Sequence, residues 1–280
     1  MYNGEKTLRN TIESVLDQTH SDFELIISDN ASTDNTSVIC NEYVKKDNRV
    51  QYFRQEKHMG LVKNFKFVLE KANQDYFAWI AADDFWEKEN MEKNLNILLI
   101  KKNVVCSIGK QSEWIDNSID KNISLKILIK LRSKYLNEKY ESLSGSYDHK
   151  VKKYLKNSMC DICWGLHRTK CIKKSFVIDK FAGNEWATNL NILKLGEVHV
   201  IDKKLWRKNL IGLSSKGMYK TLEVNSEGNI SKILPYYKFS SWCRKNLGAK
   251  CFLKRINYFI FLNISGTVSL VLDLFNKIIR

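Results

Sequence analysis

FAWIAADDFW, the stretch from Phe77 to Trp86, decides how this sequence is interpreted. Its apolar and aromatic opening is typical of a strand buried on both faces of a sheet, and it runs into two adjacent acids, Asp83 and Asp84. Open α/β folds bind ligands at the carboxyl ends of their strands. Carboxylate oxygens at such an end suit Mg²⁺ or Mn²⁺ together with substrate phosphates. An ordinary acidic turn, with one acid capping the next helix, explains the same residues.

A second strand that ends in acids lies upstream. The segment Phe23–Ser28 predicts a buried strand that runs into Asp29 and Asn30. Helix and strand patterns alternate along the first 110 residues, with helices at Glu5–Gln18, Thr36–Lys46, Leu61–Ala72 and Lys88–Leu99 and strands at Val50–Phe53, Phe77–Ile80 and Val104–Ile108. This alternation predicts βαβ units and a mainly parallel sheet. Right-handed crossovers then put Asp29 and Asp83 on the same edge, which favours a metal and nucleotide pocket.

The second half of the chain is less regular. From Lys110 to Lys156 no clear period appears, which we interpret as variable loops and helices over an acceptor site. Cys160–Leu166 and Val198–Ile201 predict two further strands. Glu185–Leu195 predicts a helix that stops at a glycine.

Composition narrows the class of protein. Hydrophobic residues make up 44% and charged residues 28% of the chain, which excludes a disordered protein. The net charge of +15 favours an anionic partner, either phosphates, a membrane surface or nucleic acid. Without a recognisable nucleic-acid-binding module, we predict no nucleic-acid partner. Seven irregularly spaced cysteines and the lack of a signal peptide before the first helix predict a cytoplasmic location.

The tail from Ile230 onward is basic and aromatic. Within it, Ile256–Leu272 is mostly apolar but shorter than the roughly 20 residues that span a bilayer. A helical hairpin in the membrane interface, flanked by Lys and Arg residues, fits this pattern. A pair of amphipathic helices packed on the domain fits it as well.

Three motifs together resemble family 2 glycosyltransferases of the GT-A fold. They are SVLDQTHSDFELIISDNASTDNT (Ser14–Thr36), GLVKNFKFVLEKANQDYFAWIAADDFW (Gly60–Trp86) and GNEWATNLNILKLGEV (Gly183–Val198). Their order and spacing over roughly residues 1 to 210 make the signal specific. The resemblance implies an α/β, Rossmann-like fold with a mixed, mainly parallel central sheet flanked by helices and a C-terminal helical tail.

The resemblance also implies which residues bind the nucleotide sugar. Tyr2 and Asn3 match the family's Tyr-Asn and would border the nucleotide. Asp29 would accept a hydrogen bond from the base, and Asp34 would help shape the same turn.

The metal site and the catalytic base follow in the same way. Asp83 matches the last acid of the family's metal motif and would hold Mn²⁺ or Mg²⁺ against the diphosphate, while Asp84 would orient that loop or the acceptor. Glu185 matches the residue that deprotonates the acceptor hydroxyl, with Trp186 packed beside it. By itself, Glu185 also suits a helix N-terminus, where a carboxylate interacts with the dipole.

These roles predict a metal-dependent, hexosyltransferase-type enzyme that transfers sugar with inversion from a nucleotide-diphosphate sugar. The acceptor would be a glycan or lipid-linked precursor of surface polysaccharide, used on the inner face of the cell membrane by a peripheral protein. The resemblance divides the chain into a transferase domain, residues 1–215, and a helical, membrane-associating tail, residues 216–280. Within the domain, residues 1–109 would bind the nucleotide sugar and 110–215 the acceptor.

Three departures from the family pattern favour an alternative function. Ala81 stands where the metal motif usually begins with an acid, and Asn30 and Ala31 replace the usual acid and glycine. Family members also carry an apolar strand before Tyr-Asn, whereas this sequence begins at Met1. Either the start is misplaced or the sheet lacks about one strand, which would expose an edge. The alternative is a catalytically impaired relative that acts as a basic, membrane-associated assembly module.

Overall fold

The computed structural model describes residues 1–114, 140–157, 160–209, 217–225 and 230–279. Helices and strands alternate along the first part of the chain: α1 Leu8–Leu16, β1 Leu25–Asp29, α2 Thr36–Lys46, β2 Val50–Arg54, α3 Leu61–Lys71, β3 Tyr76–Phe77, β4 Phe85–Trp86, α4 Asn90–Ile100 and β5 Val104–Trp114. The elements that follow are α5 Tyr147–Asn157, a 3₁₀ turn Cys160–Trp164, β6 Leu166–Arg168, α6 Thr169–Ser175, α7 Asn184–Leu195, β7 Glu197–Asn209, α8 Gly217–Asn225, a 3₁₀ turn Ile230–Lys232, α9 Tyr237–Asn246, α10 Ala249–Leu253 and α11 Ile256–Ile279. The predicted α/β class and the helical tail are confirmed.

Among the described residues the strands form two sheets. Strands β1 and β2 pair in parallel from Leu25↔Val50 to Asp29↔Arg54. The second sheet has the order β3-β6-β5-β7-β4. Its longest ladder is the parallel β5–β7 pair, and the short pairings at its edges are antiparallel. Most paired residues therefore lie in parallel ladders, so the sheet is mixed and mainly parallel as predicted.

Met1 lies along the edge of β1 that faces away from β2. Its amino group donates to the Ser28 carbonyl at 2.7 Å, and its own carbonyl accepts from the Asn30 N–H at 2.8 Å. Parallel strands are paired by hydrogen bonds of this kind, so Met1 continues the sheet beside β1 by a single residue. The side chain of Met1 packs beside Ala82, so the first residues lie between β1 and the loop that carries Asp83.

The predicted strand Phe77–Ile80 is shorter than expected. Only Tyr76 and Phe77 pair with β6. Beyond them the chain leaves the sheet, and Trp79 packs into an aromatic cluster, with its ring 4.7 Å from Phe77 and 5.7 Å from Phe65. Apolar residues therefore mark a buried segment here, but side-chain packing replaces the strand pairing.

The predicted strand Cys160–Leu166 is wrong. A 3₁₀ turn occupies Cys160–Trp164, and only Leu166–Arg168 pairs with neighbouring strands. Gly165 explains where the turn ends, because a Cβ there would lie 2.6 Å from the Cys106 sulfur and 2.8 Å from the Ser107 carbonyl. Only glycine allows the chain to approach β5 this closely.

Helix α7 passes through the largest hydrophobic cluster of the described chain. Its buried side chains include Ala187, Leu190, Ile192 and Leu193. Burying a leucine or isoleucine stabilises a fold by roughly 1.5–3 kcal/mol, so this packing holds the helix firmly. Gly183 precedes the helix with φ of 89°, a left-handed conformation that suits glycine. The chain can therefore turn sharply into the helix just before Glu185.

The tail differs from the predicted hairpin. Residues Ile256–Ile279 form one continuous helix, α11, which packs against the domain on one side. The predicted acceptor half, residues 110–215, contains residues 115–139, 158–159 and 210–215, which lie outside the described residues. The division of the chain into domains therefore stays a prediction.

Candidate active site

Asp29 ends β1 inside the protein. It is 0% exposed, and its two oxygens accept hydrogen bonds from the Ser32 N–H and the Tyr52 hydroxyl, each at 2.8 Å. Burial and this bond raise the pKa of Tyr52, so the hydroxyl stays a donor. The carboxylate of Asp29 thus supports the turn after β1, and its contact with a nucleotide base stays a prediction.

Asp34 ties this turn to the start of the chain. One oxygen accepts from the Thr36 N–H at 3.0 Å and from its hydroxyl at 2.5 Å, and the other accepts from the Glu5 N–H at 3.1 Å. Burial by itself would raise the pKa of Asp34, but these hydrogen bonds outweigh it and lower the pKa. The ionised carboxylate sits at the N-terminus of α2, where negative charge is favourable.

Tyr2 and Asn3 lie beside the same turn. The Asn3 side-chain oxygen accepts from the Thr33 N–H at 2.9 Å, and the Asn3 N–H donates to the Ser32 hydroxyl at 2.8 Å. Tyr2 is 49% exposed, and its ring meets the His58 ring edge-on at 4.8 Å. The four residues predicted to border the nucleotide are therefore brought together, with Tyr2 accessible and Asp29 enclosed.

The loop with Asp83 and Asp84 is held by α1. The Thr7 and Thr11 hydroxyls donate to the carbonyls of Ala82 and Asp84, both at 2.8 Å. Asp84 is 5% exposed, and one of its oxygens accepts from the Asn209 N–H at 3.0 Å. Desolvation, and next the charge of Asp83, raise the pKa of Asp84 to about 7.

Asp83 is half-buried and more open than its neighbour. Desolvation raises its pKa, whereas the charge of Lys208 lowers it. Two adjacent carboxylates whose pKa values are raised by desolvation are a typical feature of a functional site.

Lys208, near the end of β7, is the cation of this region. Its amino group lies 3.2 Å from Asp161, whose other oxygen accepts from the Tyr140 hydroxyl at 2.5 Å. The charge of Lys208 lowers the pKa values of Asp83, Asp84 and Glu185, so all three carboxylates lie within its electrostatic range.

The neighbouring residue on β7 faces the other way. Arg207 pairs with Glu87 at 2.5 Å and lies over the Phe85 ring at 4.9 Å. Successive side chains of a strand point to opposite faces, which separates Arg207 from Lys208 and its partner Asp161.

Glu185 lies in the first turn of α7. The residue is exposed to solvent, yet desolvation by surrounding protein raises the pKa of its carboxyl, with a smaller contribution from Asp161. Both facts hold for a carboxylate at the wall of a cleft. It lines a small hollow of about 40 Å³ whose other walls are largely apolar: Leu61, Val62, Phe65, Trp79, Cys163, Trp164, Phe176, Asn184 and Thr188.

Asp83, Asp84 and Glu185 therefore share the electrostatic influence of Lys208, which pairs with Asp161. We define these five residues as the acidic cluster. Asp29 is outside it, because its carboxylate is enclosed by the turn after β1. Sequence reasoning missed Asp161, which lay inside a predicted strand, and interpreted Lys208 as a solvated basic residue. The predicted strand ended at Ile201, whereas β7 extends to Asn209 and makes Arg207 and Lys208 face opposite ways.

The donor set agrees with a divalent cation that also binds substrate. Within the described ranges, no three His, Cys, Asp or Glu side chains are grouped so that they could hold a metal ion alone. Asp83 presents a more open carboxylate, and the raised pKa values of Asp83 and Asp84 show that added positive charge would be favourable. Mg²⁺ commonly uses one or two carboxylates and takes its other ligands from phosphates and water.

Comparison with protein families gives one match that covers more than half of the chain. The family model described as Glycosyl transferase family 2 matches residues 1–172. This range includes Asp29, Asp83, Asp84 and Asp161, and it ends before α7.

Two named relatives match part of the chain. A putative teichuronic acid biosynthesis glycosyltransferase of Bacillus subtilis, TuaG, is 37% identical over 98 residues, 35% of this chain and 39% of that protein. The UDP-Glc:alpha-D-GlcNAc-diphosphoundecaprenol beta-1,3-glucosyltransferase WfgD of Escherichia coli is 30% identical over 118 residues, 42% of this chain and 46% of that protein. The chain thus spans less than half the length of these curated relatives.

Solved structures with GT-A folds resemble the whole chain. The mannosyltransferase PcManGT of Pyrobaculum calidifontis, solved with GDP-Man and Mn²⁺, has a TM-score of 0.59 and 11% identity over 100% of this chain and 73% of that one. Staphylococcus aureus TarS has a TM-score of 0.59 and 14% identity over 96% of this chain and 53% of that one. At such identities the likeness establishes the fold alone.

Proposed function

Because this chain belongs to glycosyl transferase family 2, we propose that it is an inverting glycosyltransferase that moves a hexose from a nucleotide-diphosphate sugar to an acceptor hydroxyl. The observation that carries the proposal is the acidic cluster. In it, the positive charge of Lys208 acts on three carboxylates, those of Asp83, Asp84 and Glu185. A transferase needs a base for the acceptor on one side and positive charge for the leaving diphosphate on the other.

Glu185 is the proposed general base. Its carboxylate takes the proton from the acceptor hydroxyl while the acceptor oxygen bonds to the anomeric carbon. The bond from that carbon to the diphosphate oxygen breaks in the same step, so the configuration inverts. Desolvation raises the pKa of Glu185 and makes its carboxylate a stronger base, and the exposure of the residue makes it accessible to an acceptor.

Lys208 and Asp83 are proposed to act on the diphosphate. Asp161 orients the Lys208 amino group at 3.2 Å, so that its charge faces the cluster. Asp83, with Asp84 behind it, would hold Mn²⁺ or Mg²⁺, and such an ion would neutralise charge on the leaving diphosphate. Tyr2, accessible beside the turn after β1, would border the nucleotide.

The hollow beside Glu185 is proposed as the acceptor site. Its walls are apolar and aromatic, with a single carboxylate, as is common for sites that position a ligand through a few polar groups. The names of TuaG and WfgD refer to teichuronic acid and to a diphosphoundecaprenol acceptor. We propose a related acceptor here, a surface glycan or its lipid-linked precursor on the inner face of the cell membrane.

Two variants of the full chain test the assignment. Glu185→Gln should lower sugar transfer about 1000-fold and leave donor affinity unchanged, because the amide keeps the shape and loses the base. Asp83→Ala should remove Mn²⁺-dependent donor hydrolysis, measured as nucleotide release. Glu70→Gln, an exposed residue of α3 paired with Lys66, is the matched control and should keep full activity. Normal transfer by Glu185→Gln would contradict the assignment of the base.

The alternative, a catalytically impaired assembly module, rests on Ala81 at the position of an acid. Isothermal titration of UDP- and GDP-sugars with and without Mn²⁺ separates the two functions. The transferase requires metal-dependent donor affinity, and the impaired module requires its absence.

A further inference from the structure

Helix α11 turns three of its polar residues toward the protein. The Asn263 side chain donates to the Ser240 hydroxyl at 2.9 Å, and the Thr267 hydroxyl donates to the Ile233 carbonyl at 2.7 Å. The Asp273 carboxylate accepts from the Tyr219 N–H at 3.0 Å. An amphipathic helix on a water-soluble surface has the opposite arrangement, with its polar face outward.

Apart from the exposed Asn257 in its first turn, the outward face of α11 is apolar from Ile256 to Phe275. We define the apolar stripe as eight residues that are 38–70% exposed: Ile256, Ile260, Phe261, Ile264, Val268, Val271, Leu272 and Phe275. Their spacing of three to four residues keeps them on one side of the helix, over roughly 29 Å at 1.5 Å per residue. Exposed Ile233 and Leu234, next to Thr267, widen the surface. A contiguous apolar surface of this kind marks an interaction site.

The charge around the apolar stripe is positive. Residues 230–280 contain nine Lys and Arg residues and a single acid, Asp273, which bonds toward the protein. Lys232 is exposed next to Ile233, and Lys254 is exposed just before the helix begins. Apolar residues bordered by lysines are complementary to an anionic lipid surface.

We propose that the apolar stripe of α11 docks on an anionic membrane, with the helix lying in the plane of the interface. A second copy of this chain is a poorer occupant, because symmetric pairing would bring the bordering lysines of both copies together. An orientation in which α11 spans the bilayer also fits the structure less well. The helix from Ile256 to Phe275 is long and apolar enough to cross a bilayer, but crossing would take Asn263, Thr267 and Asp273 away from their partners into hydrocarbon.

The docked helix would lie close to the proposed acceptor site. Trp186, next to Glu185, stacks on Tyr236 at 5.1 Å. Tyr236 in turn packs against Gly266 of α11, where a Cβ would come within 2.9 Å of its ring. A short chain of contacts therefore joins the base to the membrane-facing helix. The link between α11 and the acceptor site rests on the proposed function, and it favours a lipid-linked acceptor. The docking of α11 on a membrane does not depend on the proposed function.

Vesicle flotation of the full chain tests the docking without any measurement of activity. We expect the protein to float with vesicles of phosphatidylcholine and phosphatidylglycerol, and to bind pure phosphatidylcholine about tenfold more weakly. Ile260→Ser/Ile264→Ser/Val268→Ser should weaken binding at least about tenfold, because it removes apolar area from the stripe. Val38→Ser/Ile100→Ser/Ile178→Ser, three exposed apolar residues elsewhere, is the matched control and should bind normally.

A pair of charge variants tests the role of the lysines. Lys232→Gln/Lys254→Gln should weaken binding to anionic vesicles about tenfold, roughly 1 kcal/mol or less for each charge. Lys45→Gln/Lys102→Gln, two exposed lysines on other elements, should leave it unchanged. Thermal melts of all variants report whether each one folds.

Four results would overturn the proposal. The serine variant of the stripe could bind as tightly as the natural sequence, or binding could be equal for neutral and anionic vesicles. Light scattering could show a dimer that the serine variant dissociates and that does not bind vesicles, which would make the stripe an interface between copies. Resistance to extraction by alkaline carbonate would indicate a spanning helix.

Discussion

Asp29 and Asp84 are both buried carboxylates next to a strand, and their surroundings are opposite. Asp29 is 0% exposed and accepts one hydrogen bond on each oxygen. Asp84 is 5% exposed, accepts from the Asn209 N–H, and lies beside a second carboxylate. The first carboxylate is satisfied and supports the turn after β1. The second has a pKa raised to about 7, because its surroundings disfavour the ionised form. Such a shift is common where a protein binds a cation or performs acid–base chemistry.

The largest effect is expected when the disfavoured charge is removed. Asp84→Asn should raise the free energy of unfolding at pH 8 by up to roughly 4 kcal/mol, because each unit of pKa shift corresponds to about 1.4 kcal/mol. The pKa of Asp84 is higher in the folded protein than its ordinary 3.8. Its contribution to stability is therefore present below pH 4 and is lost as the pH rises to about 7.

Urea unfolding at pH 4, 5.5 and 8, with EDTA to exclude metal ions, measures this effect. The gain from Asp84→Asn should be near zero at pH 4 and should grow toward pH 8. A variant that is less stable than the natural sequence at pH 8 would show that the Asp84 charge is compensated.

Lys208 should have the next largest effect, on the reaction. Lys208→Met should lower sugar transfer about 100-fold, equivalent to about 2.7 kcal/mol, because it removes the positive charge that faces the acidic cluster. Arg207→Met is the matched control, since Arg207 lies on the other face of β7 and pairs with Glu87. Steady-state kinetics that show equal losses for both variants would place Lys208 outside the site.

Asp29→Asn should act in the opposite direction to Asp84→Asn. We expect a loss of about 1.5 kcal/mol in the free energy of unfolding, because two charge-assisted hydrogen bonds from Ser32 and Tyr52 become neutral ones. Urea unfolding at pH 8 measures the loss. A gain in stability would mean that the two carboxylates are equivalent and that the contrast between them is wrong.

The smallest effect is expected at a residue within the turn after β1. Ala31 has a φ of 62°, a left-handed conformation that L-residues other than Asn and Asp seldom adopt. Ala31→Gly should stabilise the fold by about 1 kcal/mol or less, since the relief of strain exceeds the extra entropy of glycine in the unfolded chain. Thermal unfolding should show a higher midpoint, and an unchanged or lower one would indicate that the turn is not strained.

Much of the fold could be predicted because it depends on local pattern. The period of apolar residues predicted α7, and Gly196 predicted where it stops. The order of the motifs that contain Asp29, Asp83 and Glu185 likewise predicted the family. The strand predicted at Cys160–Leu166 is wrong because these residues form a 3₁₀ turn instead. The turn ends at Gly165, where the chain comes close to Cys106 and Ser107 of β5. Those two residues are far away in sequence, so the local pattern does not reveal the contact.

The sequence alone therefore determined the alternation of elements, the family and its acidic motifs, since these follow from periodicity and motif spacing. Only the tertiary structure decided the environment of those acids, by enclosing Asp29 and by bringing Asp161 and Lys208 to Asp83, Asp84 and Glu185. It also decided which face of α11 lies outward. The physical reason is that desolvation and charge depend on neighbours in space, and residues 161 and 208 meet Asp84 only after the chain has folded.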